Sequence, residues 1–116
     1  VTDRDLKFRA SEIIRKNIIN CVGDELHYHF AVEVTSLKKD LERLSLTRIQ
    51  ATIYTSKSSH KPILIGEGGR KLKIIRLRST RELKNIFQGD VHLSLWVKLV
   101  SCWNKNSALL DNMGIS

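Results

Sequence analysis

The stretch Ile63-Leu64-Ile65-Gly66-Glu67-Gly68-Gly69-Arg70-Lys71-Leu72-Lys73 restricts the fold more than any other part of the chain. An apolar run stops at a glycine, two more glycines follow, and a basic, helix-favouring segment takes over. Glycine has no Cβ, so it reaches positive φ and lets another molecule approach the main chain closely. A helix that starts there presents unpaired N–H groups and a partial positive charge, which suit an anion such as phosphate. The spacing predicts a tight turn between two helices, with its backbone bare.

The flanking segments decide what that turn is embedded in. Ala10, Ile13, Ile14, Asn17, Ile18 and Cys21 follow the i, i+3, i+4 rhythm and predict an amphipathic helix over 9–22, stopped by Gly23. Residues 1–8 read as a tether to something upstream. Tyr28, Phe30, Val32 and Val34 alternate with His29, Ala31, Glu33 and Thr35, the pattern of a half-buried strand over 28–35. Residues 36–47 are polar and read as a long hairpin connection. Alternation returns over 48–55, with Ile49, Ala51 and Ile53 inward.

Pro62 suits the first position of a short helix over 62–65. After the glycines, residues 70–88 predict a longer helix with Leu72, Ile75, Leu83, Ile86 and Phe87 as apolar members, closed by Gly89. Val91, Leu93, Leu95, Val97 and Leu99 alternate with His92, Ser94, Trp96 and Lys98, and a short terminal helix is expected over 105–112. The order is α-β-β-α-turn-α-β. The first two strands make an antiparallel hairpin. The helical crossover between 48–55 and 91–99 is long enough to make those strands parallel. The expected fold is α+β: a three-stranded mixed sheet with helices packed on one face.

Charge narrows the partner. The 116 residues carry a net charge of +8, and 41% of them are hydrophobic, enough for one modest core. Residues 61–84 hold Lys61, Arg70, Lys71, Lys73, Arg76, Arg78, Arg81 and Lys84 against only Glu67 and Glu82. The excess is concentrated on and just after the glycine turn. That favours a polyanion, nucleic acid first and an anionic membrane surface second. No apolar run approaches the ~20 residues of a membrane-spanning helix. The opening Val-Thr-Asp-Arg-Asp carries neither an initiator Met nor a signal-peptide pattern, and a piece of a longer protein is expected. Cys21 and Cys102 lack metal-ligand spacing and are expected to be reduced thiols. His27 and His29 share a strand face, but no carboxylate or Cys stands at a supporting spacing, so no metal is expected. No triad or carboxylate pair for nucleophilic or acid–base catalysis is legible.

The G-x-x-G turn between two helices, in a β-α-α-β unit preceded by α-β, resembles the KH RNA-binding domain in its type II topology, whose loop clamps about four nucleotides. Ala10-Ser11-Glu12-Ile13-Ile14-Arg15, Gly23-Asp24-Glu25-Leu26, Ile65-Gly66-Glu67-Gly68-Gly69 and Val91-His92-Leu93-Ser94-Leu95-Trp96-Val97-Lys98 resemble successive landmarks of the C-terminal KH domain of Era-type GTPases. So do Trp103 and the ending Ala108-Leu109-Leu110-Asp111-Asn112-Met113-Gly114. The resemblance covers roughly residues 8–114, and the domain is placed at 9–114.

The resemblance implies a role and the residues that carry it. It implies an RNA-binding module that recognises 16S rRNA near its 3′ end during assembly of the small (30S) ribosomal subunit. The implied partners are that rRNA, the subunit and an upstream GTPase domain, and a monomer is expected. GTP and magnesium belong to the GTPase domain, which is absent from these residues, so the chain itself is expected to be no enzyme and to hold no cofactor. The implied location is cytoplasmic, or peripheral at the inner membrane. Gly66, Glu67, Gly68 and Gly69 would form the clamp. Arg70, Lys71, Lys73 and Lys61 would contact phosphates. Ile63, Ile65 and Leu72 would line an apolar groove for bases, with Ile49 and Ile53 as candidates for its floor. The family places a basic residue after the first loop glycine, and here Glu67 stands. The alternatives are a basic protein-interaction module, a membrane-surface docking module, and a stand-alone ribosome-binding factor of the same fold.

Overall fold

The computed structural model describes residues 3–100. They form α1 (Asp3–Leu26), β1 (Phe30–Lys39), β2 (Leu46–Thr55), α2 (His60–Ile65), a 3-10 turn (Glu67–Gly69), α3 (Arg70–Phe87) and β3 (Asp90–Leu99). The sheet order is β1-β2-β3; the central β2 runs antiparallel to β1 and parallel to β3. This is the expected three-stranded mixed sheet with helices on one face. The terminal helix expected over 105–112, together with Cys102 and Trp103, lies outside the described residues.

One core joins helices to sheet. Ala10, Ile14, Ile18, Val22 and Leu26 of α1 meet Phe30, Val32 and Val34 of β1, Ile49, Ala51 and Ile53 of β2, Val91 and Leu93 of β3, and Leu64, Ile75 and Leu83 of the other helices. Each fully buried Ile or Leu contributes roughly 1.5–3 kcal/mol relative to an exposed one. Asn17, on the apolar stripe of α1, is buried too. Its amide donates to Ser79 Oγ of α3 at 3.1 Å and to Glu82 Oε2 at 2.9 Å. Lys16 pairs with the other oxygen of Glu82. Lys16 first, then Asn17, hold the Glu82 carboxyl below its ordinary pKa. A polar position in an apolar stripe thus joins α1 to α3.

Three boundaries differ from the sequence reading, each for a physical reason. First, α1 starts at Asp3, so residues 3–8 of the expected tether are its first turns. Asp3 and Asp5 there favour the positive end of the helix dipole. Second, Gly23 does not stop α1. The Tyr28 N–H donates to Gly23 O at 3.1 Å and the His27 N–H to Asp24 O at 3.2 Å, a Schellman closure with His27 at φ 53°. Gly23 lies instead under the Tyr28 ring, where an added Cβ would sit 3.1 Å from Cε1. Tyr28 and His29 therefore belong to this turn, and β1 begins at Phe30.

Third, β1 runs to Lys39 because a bulge at Thr35 resets its alternation. Val34 faces Ala51 and Ser36 faces Gln50, which leaves Thr35 unpaired and turns Leu37 back toward the core opposite Ile49. A strict period of two ends at Thr35, so 36–39 read as loop. The true hairpin is short. Asp40 accepts from the N–H groups of Glu42 and Arg43, both at 2.9 Å, and from Arg48 Nε at 2.7 Å. Arg48 foremost, then the two amides, lower its carboxyl pKa. Arg43 pairs with Asp90 at the start of β3. At the far end of α3, Gln88 takes the left-handed closing conformation that was expected of Gly89. Gly89 is required by proximity: a Cβ there would lie 2.5 Å from Ser45 O.

Candidate nucleic-acid interface

The opposite end of the sheet carries the glycine turn. α2 begins at His60, two residues before Pro62. Pro62 still falls in the first turn, where a missing N–H leaves no helical bond unmade. Leu64 is completely buried and fixes α2 to the core. The helix closes when the Gly66 N–H donates to Pro62 O at 2.8 Å.

Gly66 then takes φ 76° and ψ 173°, a region open essentially to glycine alone. Space demands glycine as well: a Cβ there would lie 2.6 Å from Lys71 Cγ and 2.8 Å from the Lys71 backbone nitrogen. Gly68 and Gly69 differ. Both are left-handed, at φ 63° and 77°, and an added Cβ at either would meet nothing within 4 Å. Their main chain faces open space. Gly69 is also the N-cap residue of α3, with no side-chain cap. The Gly69 N–H donates to Gly66 O at 3.1 Å and the Arg70 N–H to Glu67 O, so the turn itself caps the start of this 18-residue helix.

Cations surround it. Lys61, Arg70 and Lys73 are exposed and Lys71 is half-buried. Among the described residues none of the four forms an ion pair. Beside the turn opens a cavity of about 530 Å³, lined by Ser58, Lys61, Pro62, Ile65, Gly66 and Glu67. The expected groove residues separate here. Ile65 lines the cavity, whereas Ile63 and Leu72 pack against the core. Ile49 and Ile53, candidates for the groove floor, are fully buried core residues with no surface to offer. Ser58 and Pro62 join the cavity without having been expected there. Pro62 carried a helix-start signal only, and Ser58 lay in a turn-rich break.

His60 sits at the base of this end, 4% exposed, and its Nδ1 lacks a hydrogen-bond partner. Burial first, then Lys57, His27 and His29, hold its pKa below the ordinary value. His27 and His29 are exposed members of the turn after α1 and share no strand face. Among the described residues, no three His, Cys, Asp or Glu side chains are placed to hold a metal ion. On the sheet face away from the helices, Tyr54 Oη donates to Glu33 Oε1 at 2.7 Å. Burial and then this carboxylate push its pKa up to about 12. Trp96, in register with Thr52, is 50% exposed.

A glycine-lined turn joining two helices, inserted between parallel strands of an α-β-β-α-α-β chain, defines a KH domain. The KH domain family model matches residues 25–104, and the chain belongs to that family. Its relatives include the GTPase Era of Coxiella burnetii, 39% identical over 114 residues that cover 98% of this chain and 38% of the relative. The GTPase Era of Alkaliphilus metalliredigens is 36% identical over the same shares of each. Among solved structures, Aquifex aeolicus Era bound to GDP and AlF4⁻ matches with a TM-score of 0.86 and 30% identity, over 94% of this chain and 36% of that one. Era in complex with MgGDPNP and nucleotides 1506–1542 of 16S ribosomal RNA matches with a TM-score of 0.87 at the same identity and coverage. The resemblance to the KH domain of Era-type GTPases thus holds across the chain. The chain spans little more than a third of the length of the curated relatives it matches.

Proposed function

We propose that this chain is the RNA-binding KH domain of an Era-like GTPase, and that it grips single-stranded RNA on the backbone of Gly66–Gly69. The observation that carries the reading is the open left-handed main chain of Gly68 and Gly69 at the start of α3. The open main chain lets a phosphate approach closely, and the helix dipole adds favourable potential. Lys61, Arg70, Lys71 and Lys73 draw the strand in and release its counterions. Bases turned away from the phosphates enter the cavity beside Pro62 and Ile65.

The ligand in this reading is small-subunit rRNA near its 3′ end, and the setting is assembly of the 30S subunit in the cytoplasm. The solved Era that holds nucleotides 1506–1542 of 16S ribosomal RNA supports it. GTP hydrolysis, with its magnesium, belongs to the remainder of the parent protein, and this chain supplies recognition. The test is the double substitution Gly68→Asp and Gly69→Asp, with titration of a short single strand that ends as small-subunit rRNA does. Two carboxylates on the open side of the turn are expected to weaken binding by about a hundredfold or more, every ~1.4 kcal/mol of binding energy being tenfold. Unchanged affinity in a folded variant would remove the turn from the interface.

A further inference from the structure

α3 is far more basic than the helix it packs against. Over Asp3–Leu26, α1 carries five cations and five carboxylates. Over Arg70–Phe87, α3 carries seven cations and one carboxylate, Glu82. Lys16 and Asn17 of α1 hold that carboxylate, so it is spent on the helix–helix contact. The buried stripe of α3 is Ile75, Ser79 and Leu83. On the opposite side Arg70, Lys73, Leu77, Arg81 and Lys84 follow one another at intervals of three or four residues, and all five are exposed. Such intervals place side chains on one helix face. At about 1.5 Å of rise per residue, Lys84 stands roughly 21 Å beyond Arg70. Among the described residues none of these four cations forms an ion pair.

Nothing in the fold requires a stripe of one sign. A solvated helix face is served equally well by mixed charge, as on α1, and like charges three or four residues apart repel one another. A cation in the last turn complements the helix dipole, which accounts for Lys84 alone. A polyanion lying along the helix would relieve the repulsion over its whole length. The stripe begins at Arg70, directly after the glycine turn, so it is continuous with the interface proposed there. A KH loop grips about four nucleotides, and a longer strand carries further phosphates past that grip.

We infer that the outward face of α3 is a phosphate track: it holds RNA that continues past the clamped nucleotides, and Arg81 and Lys84 bind phosphates roughly 16–21 Å along the helix from Arg70. The inference rests on the clamp reading of the glycine turn. Its test uses a short single strand that ends as small-subunit rRNA does, alone and lengthened by eight uridines at each end. Binding of both strands is titrated over a range of salt to the unmodified chain and to the pair Arg81→Gln and Lys84→Gln. A second pair, Lys38→Gln and Lys98→Gln, removes the same charge from exposed positions on the sheet. The far-end pair is expected to weaken the long strand by about threefold to tenfold and to flatten its log–log salt slope by about 1.4, or 0.7 for each phosphate lost. The same pair should leave the short strand within twofold, and the sheet pair should leave both strands within twofold. Equal losses for the two strands, equal losses from the two pairs, or no loss at all would overturn the inference and leave Arg81 and Lys84 solvated charges. Binding of neither strand by the unmodified chain would instead overturn the clamp reading, and this inference with it.

Discussion

The two ends of the sheet carry the same materials and use them differently. At the hairpin end, Arg48 and two backbone amides converge on Asp40, and Arg43 meets Asp90. At the glycine end, Lys61, Arg70, Lys71 and Lys73 have no carboxylate partner among the described residues. Each end also has a glycine where a side chain does not fit: Gly89 against Ser45 O, and Gly66 against Lys71. Only the glycine end adds two more glycines whose surroundings are empty. Charge and bare backbone that the protein satisfies internally hold the fold together. Charge left without a partner, beside main chain left uncovered, is available to a ligand.

The sharpest way to break this comparison is at the glycines themselves. Gly66→Ala puts a methyl group into the Lys71 backbone in a disfavoured φ/ψ region and is expected to cost about 3 kcal/mol or more. Gly68→Ala meets no atom and should cost only the left-handed penalty, about 1–2 kcal/mol. Urea unfolding of the two variants measures the gap, and equal losses would mean that crowding at Gly66 is relieved by movement of the turn.

Charge removal is the next test. Replacing the exposed Lys61, Arg70 and Lys73 by Ala is expected to lower RNA affinity by about tenfold or more, and to flatten its log–log salt dependence by about 0.7 for each phosphate no longer neutralised. Replacing Arg43 and Arg48 by Ala should leave affinity and salt slope within error and lower stability slightly, because those charges already serve Asp90 and Asp40. Equal losses from both sets would show that only overall charge matters, and the distinction between the ends would fall.

The smallest effect is in pH, and it also divides the ends. His60 has a folded pKa below its ordinary value, so the unfolded chain takes up the proton first as the solution is acidified. Stability is complete above about pH 6.5 and falls below it. Asp40 is shifted down, so its contribution is present above the ordinary carboxylate range and is lost as pH falls through and below that range. The melting temperature should therefore drop modestly between pH 7.5 and 5.5 in the unmodified chain and less in His60→Asn. Identical pH slopes in the two proteins would show that His60 does not set the pH dependence.

Much of this was legible in the chain because it rests on local rules. Period-two alternation located Ile49, Ala51 and Ile53 on the core face of β2, and the 3.6-residue rhythm located Ile14 and Ile18 in α1. The glycine spacing located the turn. Features decided by contacts between distant residues were not legible. The bulge at Thr35 hid the second half of β1, since it breaks the alternation by which strands are recognised. Gly23 carries the signature of a helix stop, yet what it accommodates is the Tyr28 ring. In the groove, Ile63, Ile65 and Leu72 look equivalent in sequence. Packing sends two of them to the core and leaves Ile65 on the cavity wall.

By itself, the sequence determined the order of elements, the mixed sheet, the glycine turn and the concentration of positive charge around it. These follow from backbone freedom, side-chain periodicity and composition, which act over a few residues at a time. The tertiary structure alone decided which charges are free. Glu82 and Glu67 are the same residue type in the same basic segment. α1 brings Lys16 and Asn17 to Glu82, across more than sixty positions of sequence, and among the described residues it brings nothing to the Glu67 carboxylate. Whether a charge is neutralised within the fold or held out for a partner depends on what folding places beside it.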